Sequence, residues 1–350
     1  MTAPESTMDG GGAGVLGVPD AVAPLSAQLD QLLQDAAEFA THARAEATLR
    51  GYRSDWADFG SWCLQMGLEA LPAAPETVAA YMAALAGMGA AVGTIARRLS
   101  SIGHYHRAAG QLDPSIDPAV RYVMAGIRRQ LDRKPDQATP LMPPLLFDVL
   151  DACPTIYPGP DGPEPHLRGL RDRALILVGF VGALRRSEIS AATVEDLHEH
   201  PNGLVLDIPR SKTNQDASKP QTVVLPSSRT PSHCPVTQLL RWLDVAGITA
   251  GPIFRGCTPR GNRLAGPTPL SGKRINEIVQ AALQRAGVEP DTHGYSAHSL
   301  RAGFVTYAAA RGASDRAIAR QTRHRDLSTV AIYTRHSTAW TDNAATTLGL

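Results

Sequence analysis

The chain has little cysteine, no long apolar run and almost no net charge. Its four cysteines, Cys63, Cys153, Cys234 and Cys257, are scattered, with no Cys-x-x-Cys pair and no matching His pair. That excludes a disulfide framework and a structural zinc, and leaves reduced, mostly buried thiols. No apolar stretch approaches the ~20 residues that a membrane span requires. The opening MTAPESTMDGGGAGVLGVPD has no basic flank before an apolar segment, so it does not read as a secretory signal, and a cytoplasmic protein without a membrane is expected. The net charge of +1 alone says little for a polyanionic partner.

The distribution of charge says more. Residues 1–40 carry six acids and no Lys or Arg, whereas residues 91–134 carry eight basic residues against three acids and residues 253–335 thirteen against five. An acidic leader conceals two basic regions. At 350 residues, two domains are the natural expectation. The Gly- and Pro-rich start predicts a disordered leader over 1–25. Helical periodicity with Gly or Pro at each stop then runs through EATLRGYRSDWADFGSWCLQMG, PETVAAYMAALAGMG, VGTIARRLSSIGHYHRAAG and PAVRYVMAGIRRQ, which predicts an all-helical domain over 26–130. LDRKPDQATPLMPP, residues 131–144, has four Pro and reads as a linker. From 145 to 350 the pattern is mainly helical: LRGLRDRALILVGFVGALRRSEIS gives two helices, and GLVLDIP with QTVVLP a small hairpin around a polar loop.

Four stretches hold residues able to do chemistry. SAHSLRAGF puts His298 and Arg301 three apart on one helix face, with Ser296 as the expected N-cap. SDRAIARQTRHRDLSTVAIYTRH has Ser314 capping a short helix, His324 in a turn and Tyr333 nine residues on, in the next helix. GALRRSEIS sets Arg185 and Glu188 at i,i+3, and RSKTNQDASK offers Lys212 and Lys219 in the hairpin loop. Guanidinium forks bind non-bridging phosphate oxygens bidentately and stabilise charge as phosphorus becomes five-coordinate. A phenol, with a pKa of ~10, is a poor nucleophile at neutral pH unless cations or a base help it ionise. Cations around a tyrosine therefore suit a phosphodiester, with no cofactor and no metal.

Arg185, Lys212, His298, Arg301, His324 and Tyr333, in that order, resemble the active-site set of the tyrosine recombinases, the phage-integrase family. ALRRSE resembles its first-arginine motif, RSKT its hairpin lysine, HSLR its His-x-x-Arg box and RHRDLSTVAIYTR its His-to-Tyr box. TLRGYRSDWADFGSWC, APETVAAYMAAL and TIARRLSSIGHYHRAAG resemble the core-binding, SAM-like domain of the Cre-like subgroup. The resemblance implies a mainly α, two-domain, C-shaped clamp around duplex DNA, acting without metal or ATP. It implies that Tyr333 attacks the scissile phosphate to give a 3′-phosphotyrosyl link, that Arg185 and Arg301 clamp the phosphate, and that Lys212 protonates the leaving 5′-oxygen. It further implies that His298 exchanges a proton with Tyr333, that His324 hydrogen-bonds the phosphate and that Glu188 orients the cluster. Arg185 is preferred to Arg186 because the family pattern is Arg-x-x-Glu, and Lys212 to Lys219 because of its Arg-Ser-Lys-Thr context. Arg323 stands where the family usually has Gly, and either adds a phosphate contact or alters the turn. Arg50, Arg53, Thr94, Arg97, Arg98 and Arg107 become candidate DNA contacts, to phosphate more than to bases. A protein that is a monomer or weak oligomer when free, and a homotetramer on double-stranded DNA with paired recombination sites, is implied, with nucleoid association following and with 338–350 docking on a neighbour through Trp340, Leu348 and Leu350.

Taken singly, each residue has a plainer reading. Tyr333 alone is a packing aromatic, His298 and His324 core or capping histidines, Arg185 with Glu188 an ion pair worth ~0.2–0.5 kcal/mol, Lys212 a solvated loop residue and the basic face of 94–107 a solvated surface. Their joint occurrence reverses that. The competing functions are a type IB topoisomerase-like relaxase, a DNA-binding regulator with a decayed centre, and a metal hydrolase built on His293, His298, His324 and His336, which lack ligand spacing.

Overall fold

The computed structural model describes residues 29–35, 46–131, 138–159, 162–208, 221–290 and 294–324. The chain divides into two compact units, Met1–Lys134 and Pro135–Leu350.

The first unit is helical: a short α1 (29–35), then α2 (Glu46–Met66), α3 (Pro75–Gly87), α4 (Val92–Ala108) and α5 (Pro118–Leu131). Pro75 opens α3 at its first turn, where a missing N–H costs nothing. Phe59, Val78, Tyr81, Met82, Ile95, Ile102, Val120 and Met124 form the core. His106 belongs to that core. Its Nε2 accepts from the Ala73 N–H at 2.8 Å and its Nδ1 lies 2.8 Å from the Ile102 carbonyl, so both ring nitrogens serve packing.

The second unit is mainly α with three small antiparallel sheets. Its helices are α6 (Leu145–Asp151), α7 (Leu167–Val181), α8 (Arg186–Ala191), α9 (Pro235–Val245), α10 (Gly272–Arg285), α11 (His298–Ala310) and α12 (Asp315–Thr322). α7 is buried along nearly its whole length against α9 and α11. Glycine allows two close approaches to α11. A Cβ on Gly179 would sit 2.9 Å from Leu300 Cδ1, and one on Gly303 would sit 1.9 Å from the Leu141 carbonyl oxygen. α11 is thereby pressed between α7 and the 138–144 stretch, whose Leu141 N–H donates to Ser299 O at 3.0 Å. Of the expected linker 131–144, Leu131 closes α5, Leu141 is fully buried in the second unit's core, and 132–137 lie outside the described residues.

The strands are β1 (Ile156–Gly159), β2 (Gly162–Pro165), β3 (Leu197–His200), β4 (Gly203–Asp207), β5 (Thr222–Pro226), β6 (Arg255–Cys257) and β7 (Leu264–Pro269), paired β1–β2, β3–β4–β5 and β6–β7. β4 and β5 are the expected hairpin, in register Leu206↔Val223 and Leu204↔Leu225, with those four apolar side chains buried at period two. The pairs β1–β2 and β6–β7 and the strand β3 go beyond that expectation. IYPG, GPEP and LAGPTP are short, rich in Gly and Pro, and show no alternation to read. Among the described residues no helix is long and apolar enough to cross a membrane. The leader 1–25, Lys212, Lys219, His293, Tyr333, His336 and the segment 338–350 lie outside the described residues.

Candidate active site

The site is assembled where three chain segments meet: the turn from α7 into α8, the start of α11 and the end of α12. In the first, Ala183 has φ +45° and Arg185 is the N-cap of α8. Glu188, three residues on, accepts from the Arg185 backbone N–H at 2.8 Å through Oε2 and from Arg185 Nη1 at 2.7 Å through Oε1. The carboxylate thus caps the helix and aims the side chain that precedes it. Arg185 is about one-sixth exposed (17%), while its neighbour Arg186 is exposed and plays no part in this pairing.

α11 begins at His298, one position later than a Ser296 N-cap places it. Ala297 is the N-cap, with no side-chain bond, and Ser296 contributes by accepting from the His298 N–H at 3.2 Å. The i,i+3 spacing separates His298 and Arg301 by environment: His298 is exposed and Arg301 buried. Arg301 Nη1 donates to Ala183 O at 2.6 Å and Nη2 to Thr322 O, so one guanidinium holds both neighbouring segments.

α12 is capped by Ser314, whose hydroxyl accepts from the Ala317 N–H at 3.3 Å, as its sequence suggests. Gln321 Nε2 fastens the helix end to Val181 O at 2.9 Å and Val224 O at 2.8 Å. Arg323 then adopts a left-handed conformation, φ 58° and ψ 39°, as the C-cap. That is the turn geometry glycine favours, and the arginine's side chain points inward: Nη2 donates to Glu188 Oε2 at 2.6 Å, and the side chain is 3% exposed. Glu188 is therefore held between two guanidiniums. Burial alone pushes its carboxyl up, but Arg323 and the Arg185 N–H and guanidinium outweigh this and hold it below the usual carboxylate range.

His324 follows in the turn. Burial, then the charges of Arg301, Arg185 and Arg323 and the nearby His298, push its imidazole down to about 4. It is neutral at neutral pH. Its Nδ1 lies 2.9 Å from Thr322 Oγ1, and that hydroxyl spends its single proton on Ile318 O at 2.8 Å. The arrangement makes Nδ1 the donor and leaves the Nε2 lone pair for the site. Thr322, which orients His324, carried no signal in the sequence beyond lying in the helix's last turn.

The described cluster thus brings three guanidiniums and two imidazoles together with one carboxylate, which two of the guanidiniums hold, an excess of positive charge suited to a phosphodiester. Among the described residues no group of three or more His, Cys, Asp or Glu could hold a metal ion.

The candidate nucleic-acid residues of the first unit are placed differently. Arg97 makes a bidentate pair with Asp55, at 2.8 and 2.9 Å. Arg98 donates to Tyr81 Oη at 2.8 Å and pairs with Asp58. Arg107 pairs with Asp113, and Arg50 with Glu46 at 2.7 Å. Arg53 is exposed on α2, and Thr94 is half-buried in the first turn of α4.

Residues 161–339 match the family model described as the phage integrase family. The chain is 37% identical over 305 residues to an integrase/recombinase xerD homolog of Selenomonas ruminantium, covering 86% of this chain and 85% of that one. It is 30% identical over 293 residues to the tyrosine recombinase XerC of Rhodospirillum centenum, covering 82% and 76%. Among solved structures, a lambda integrase dimer bound to a COC′ core site aligns with a TM-score of 0.57 at 14% identity, covering 87% of this chain and 93% of that one. A lambda integrase tetramer bound to a Holliday junction aligns with a TM-score of 0.56 at 16% identity, covering 88% and 76%. At such identities these two alignments speak for the fold.

Proposed function

Since the chain belongs to the phage integrase family and is a site-specific tyrosine recombinase, we propose that it exchanges DNA strands at paired sites through a covalent 3′-phosphotyrosyl link, without metal or ATP. In this reading the Tyr333 oxygen attacks the scissile phosphorus. A P–O bond to tyrosine forms, the P–O5′ bond breaks, the phenol proton passes to His298, and Lys212 gives a proton to the departing 5′-oxygen. The reverse sequence, with a 5′-hydroxyl from the partner strand, rejoins the DNA. One phosphodiester is traded for another of similar energy, so no ATP is consumed.

The observation that carries the reading is the Arg185–Glu188–Arg323 and Arg301 cluster beside His324. Arg301 is held by backbone carbonyls, which fix a guanidinium without cancelling its charge, so it stands ready for the charge that grows on the phosphoryl oxygens. Neutral His324 presents Nε2, and a docked phosphate favours a proton there, which turns the nitrogen into a donor to a non-bridging oxygen. Duplex DNA is the partner in this reading, with 26–130 as the core-binding domain. A tetramer on two sites is its working form, an assembly of the kind the lambda integrase tetramer makes on a Holliday junction.

The test is to trap a covalent adduct on nicked suicide duplexes from a randomised library, then map the linked residue and the recovered sequence. Linkage at Tyr333, lost in Tyr333→Phe, supports the reading; linkage elsewhere, or an adduct formed by Tyr333→Phe, overturns it. Relaxation of a supercoiled plasmid lacking the recovered sequence, with no recombinant product from paired sites, would instead indicate a topoisomerase-like relaxase.

A further inference from the structure

Arg323 adopts a backbone conformation that glycine takes freely and other residues take at a cost. A helix that only had to stop there would be served better by glycine, so the side chain must contribute something else. Besides Glu188 Oε2 at 2.6 Å, its guanidinium donates to Gln321 O at 2.7 Å and reaches Gly182 O at 3.4 Å and Ala183 O at 3.5 Å. Three of these four acceptors lie on the α7–α8 turn and α8, the segment that delivers Arg185. Arg301 already shares Ala183 O from the other side, at 2.6 Å. The arginine therefore ties the segment carrying Arg185 to the one carrying His324.

Charge points the same way. With Arg185 as its sole cation, Glu188 would form a neutral pair, and a phosphodiester would have to compete with the carboxylate for that guanidinium. Arg323 on Oε2 leaves the three-residue set with a net positive charge. The side chain is buried and its nitrogens Nη1 and Nη2 are engaged with protein oxygens, so it acts through its neighbours.

We propose that Arg323 is a positioning residue for strand cleavage: it holds Glu188 between two cations, so that Arg185 keeps its charge for the phosphate and His324 keeps its place beside it. This rests on the recombinase reading of the site.

The test uses the full chain and a nicked duplex carrying the sequence recovered with the Tyr333 adduct. Arg323→Gly, Arg323→Lys and the doubly neutral Glu188→Gln/Arg323→Met are compared in single-turnover adduct formation at saturating protein, between pH 5 and 9. The double variant removes both members of the buried pair, which proteins commonly tolerate without unfolding. Arg323→Gly is expected to bind the duplex within about threefold of the parent but to form adduct about 10²-fold more slowly, the scale of one lost electrostatic contact in a reacting site, while the double variant, in which no carboxylate competes for Arg185, should recover part of that loss. Arg323→Lys, a point charge without the fork, should regain about a tenth of the lost rate at most. The His324 ring, followed by nitrogen NMR in the DNA-free protein, should take up its proton at higher pH once the Arg323 charge is gone, with Arg301, Arg185 and His298 still facing it. A parent-like rate and an unmoved His324 titration in a folded variant would reduce Arg323 to a filler of space. If the parent forms no Tyr333 adduct, the recombinase reading fails; if it does and the variants match it, this inference alone fails.

Discussion

Arg97 on α4 and Arg301 on α11 are both tied down by oxygen through two nitrogens, and the kind of oxygen separates them. Arg97 is 56% exposed and grips the Asp55 carboxylate, so its charge is cancelled where it stands. Arg301 is 2% exposed and grips two backbone carbonyls, which carry dipoles and no net charge. The first arrangement holds a cation in reserve, since DNA must displace Asp55 to use it. The second holds a cation committed, in a place where water screens it poorly. The same contrast extends outward: Arg50 and Arg107 each face a carboxylate of their own, and Arg97 and Arg98 have two between them, Asp55 and Asp58, whereas Arg185 and Arg323 divide a single one.

The largest expected difference is in stability. Glu188→Ala leaves two guanidiniums without their shared carboxylate, one of them almost fully buried, and should destabilise the second unit by about 3–5 kcal/mol in urea unfolding. Glu46→Ala, which strands only the exposed Arg50, should cost about 0.3–0.5 kcal/mol. Comparable losses would mean that burial does not set the worth of these pairs.

Next comes catalysis. Lysine offers one point charge and cannot span both Ala183 O and Thr322 O. Arg301→Lys should slow adduct formation by about 10²–10³-fold while binding holds within a few-fold, the scale of a lost oxyanion contact. Arg97→Lys should change both by less than about threefold, since an exposed cation already paired with Asp55 offers a phosphate charge rather than a fork. Equal slowing by the two variants would erase the distinction.

Acid should find the second unit first. The folded-state pKa of His324, about 4, lies below its unfolded value of about 6.5, so the unfolded chain binds the extra proton. Its contribution to stability is complete above about pH 6.5 and is lost as pH falls towards 4. His324→Gln should flatten that limb of a pH-stability curve. A limb equally steep in the variant would assign it to other groups.

Much of this contrast was open to sequence reading, and the unread part has a physical reason. Helical periodicity and Pro or Gly stops located α2 to α5, and the i,i+3 pair of Arg185 and Glu188 is local, so their contact follows from spacing. The contact of Arg323 with Glu188 spans 135 residues and depends on a left-handed turn, which sequence rules assign to glycine. Nor does periodicity foresee Arg171, Asp172 and Arg173 buried in the middle of α7. Arg171 and Asp172 satisfy each other at 2.6 Å, and Arg173 donates to Leu150 O at 2.7 Å, partners that only the packed unit supplies. The pairing of Arg97 and Arg98 with Asp55 and Asp58 was hidden for the same reason, since the acids lie on α2, about 40 residues before the arginines.

Those acids give the smallest and sharpest test. Asp55→Asn keeps the shape of the pair and removes its negative charge, so Arg97 becomes available to a phosphate without first being released. Binding to a duplex of arbitrary sequence should tighten by about two- to fivefold at 0.1 M salt, and the plot of log affinity against log salt should steepen by about one unit if a single phosphate contact is gained. Adduct formation at saturating protein should not change, because nothing at Arg185, Arg301 or His324 has moved. A salt slope identical to the parent's would show that Arg97 faces away from the duplex, and that the reserve of charge on α4 belongs to folding alone.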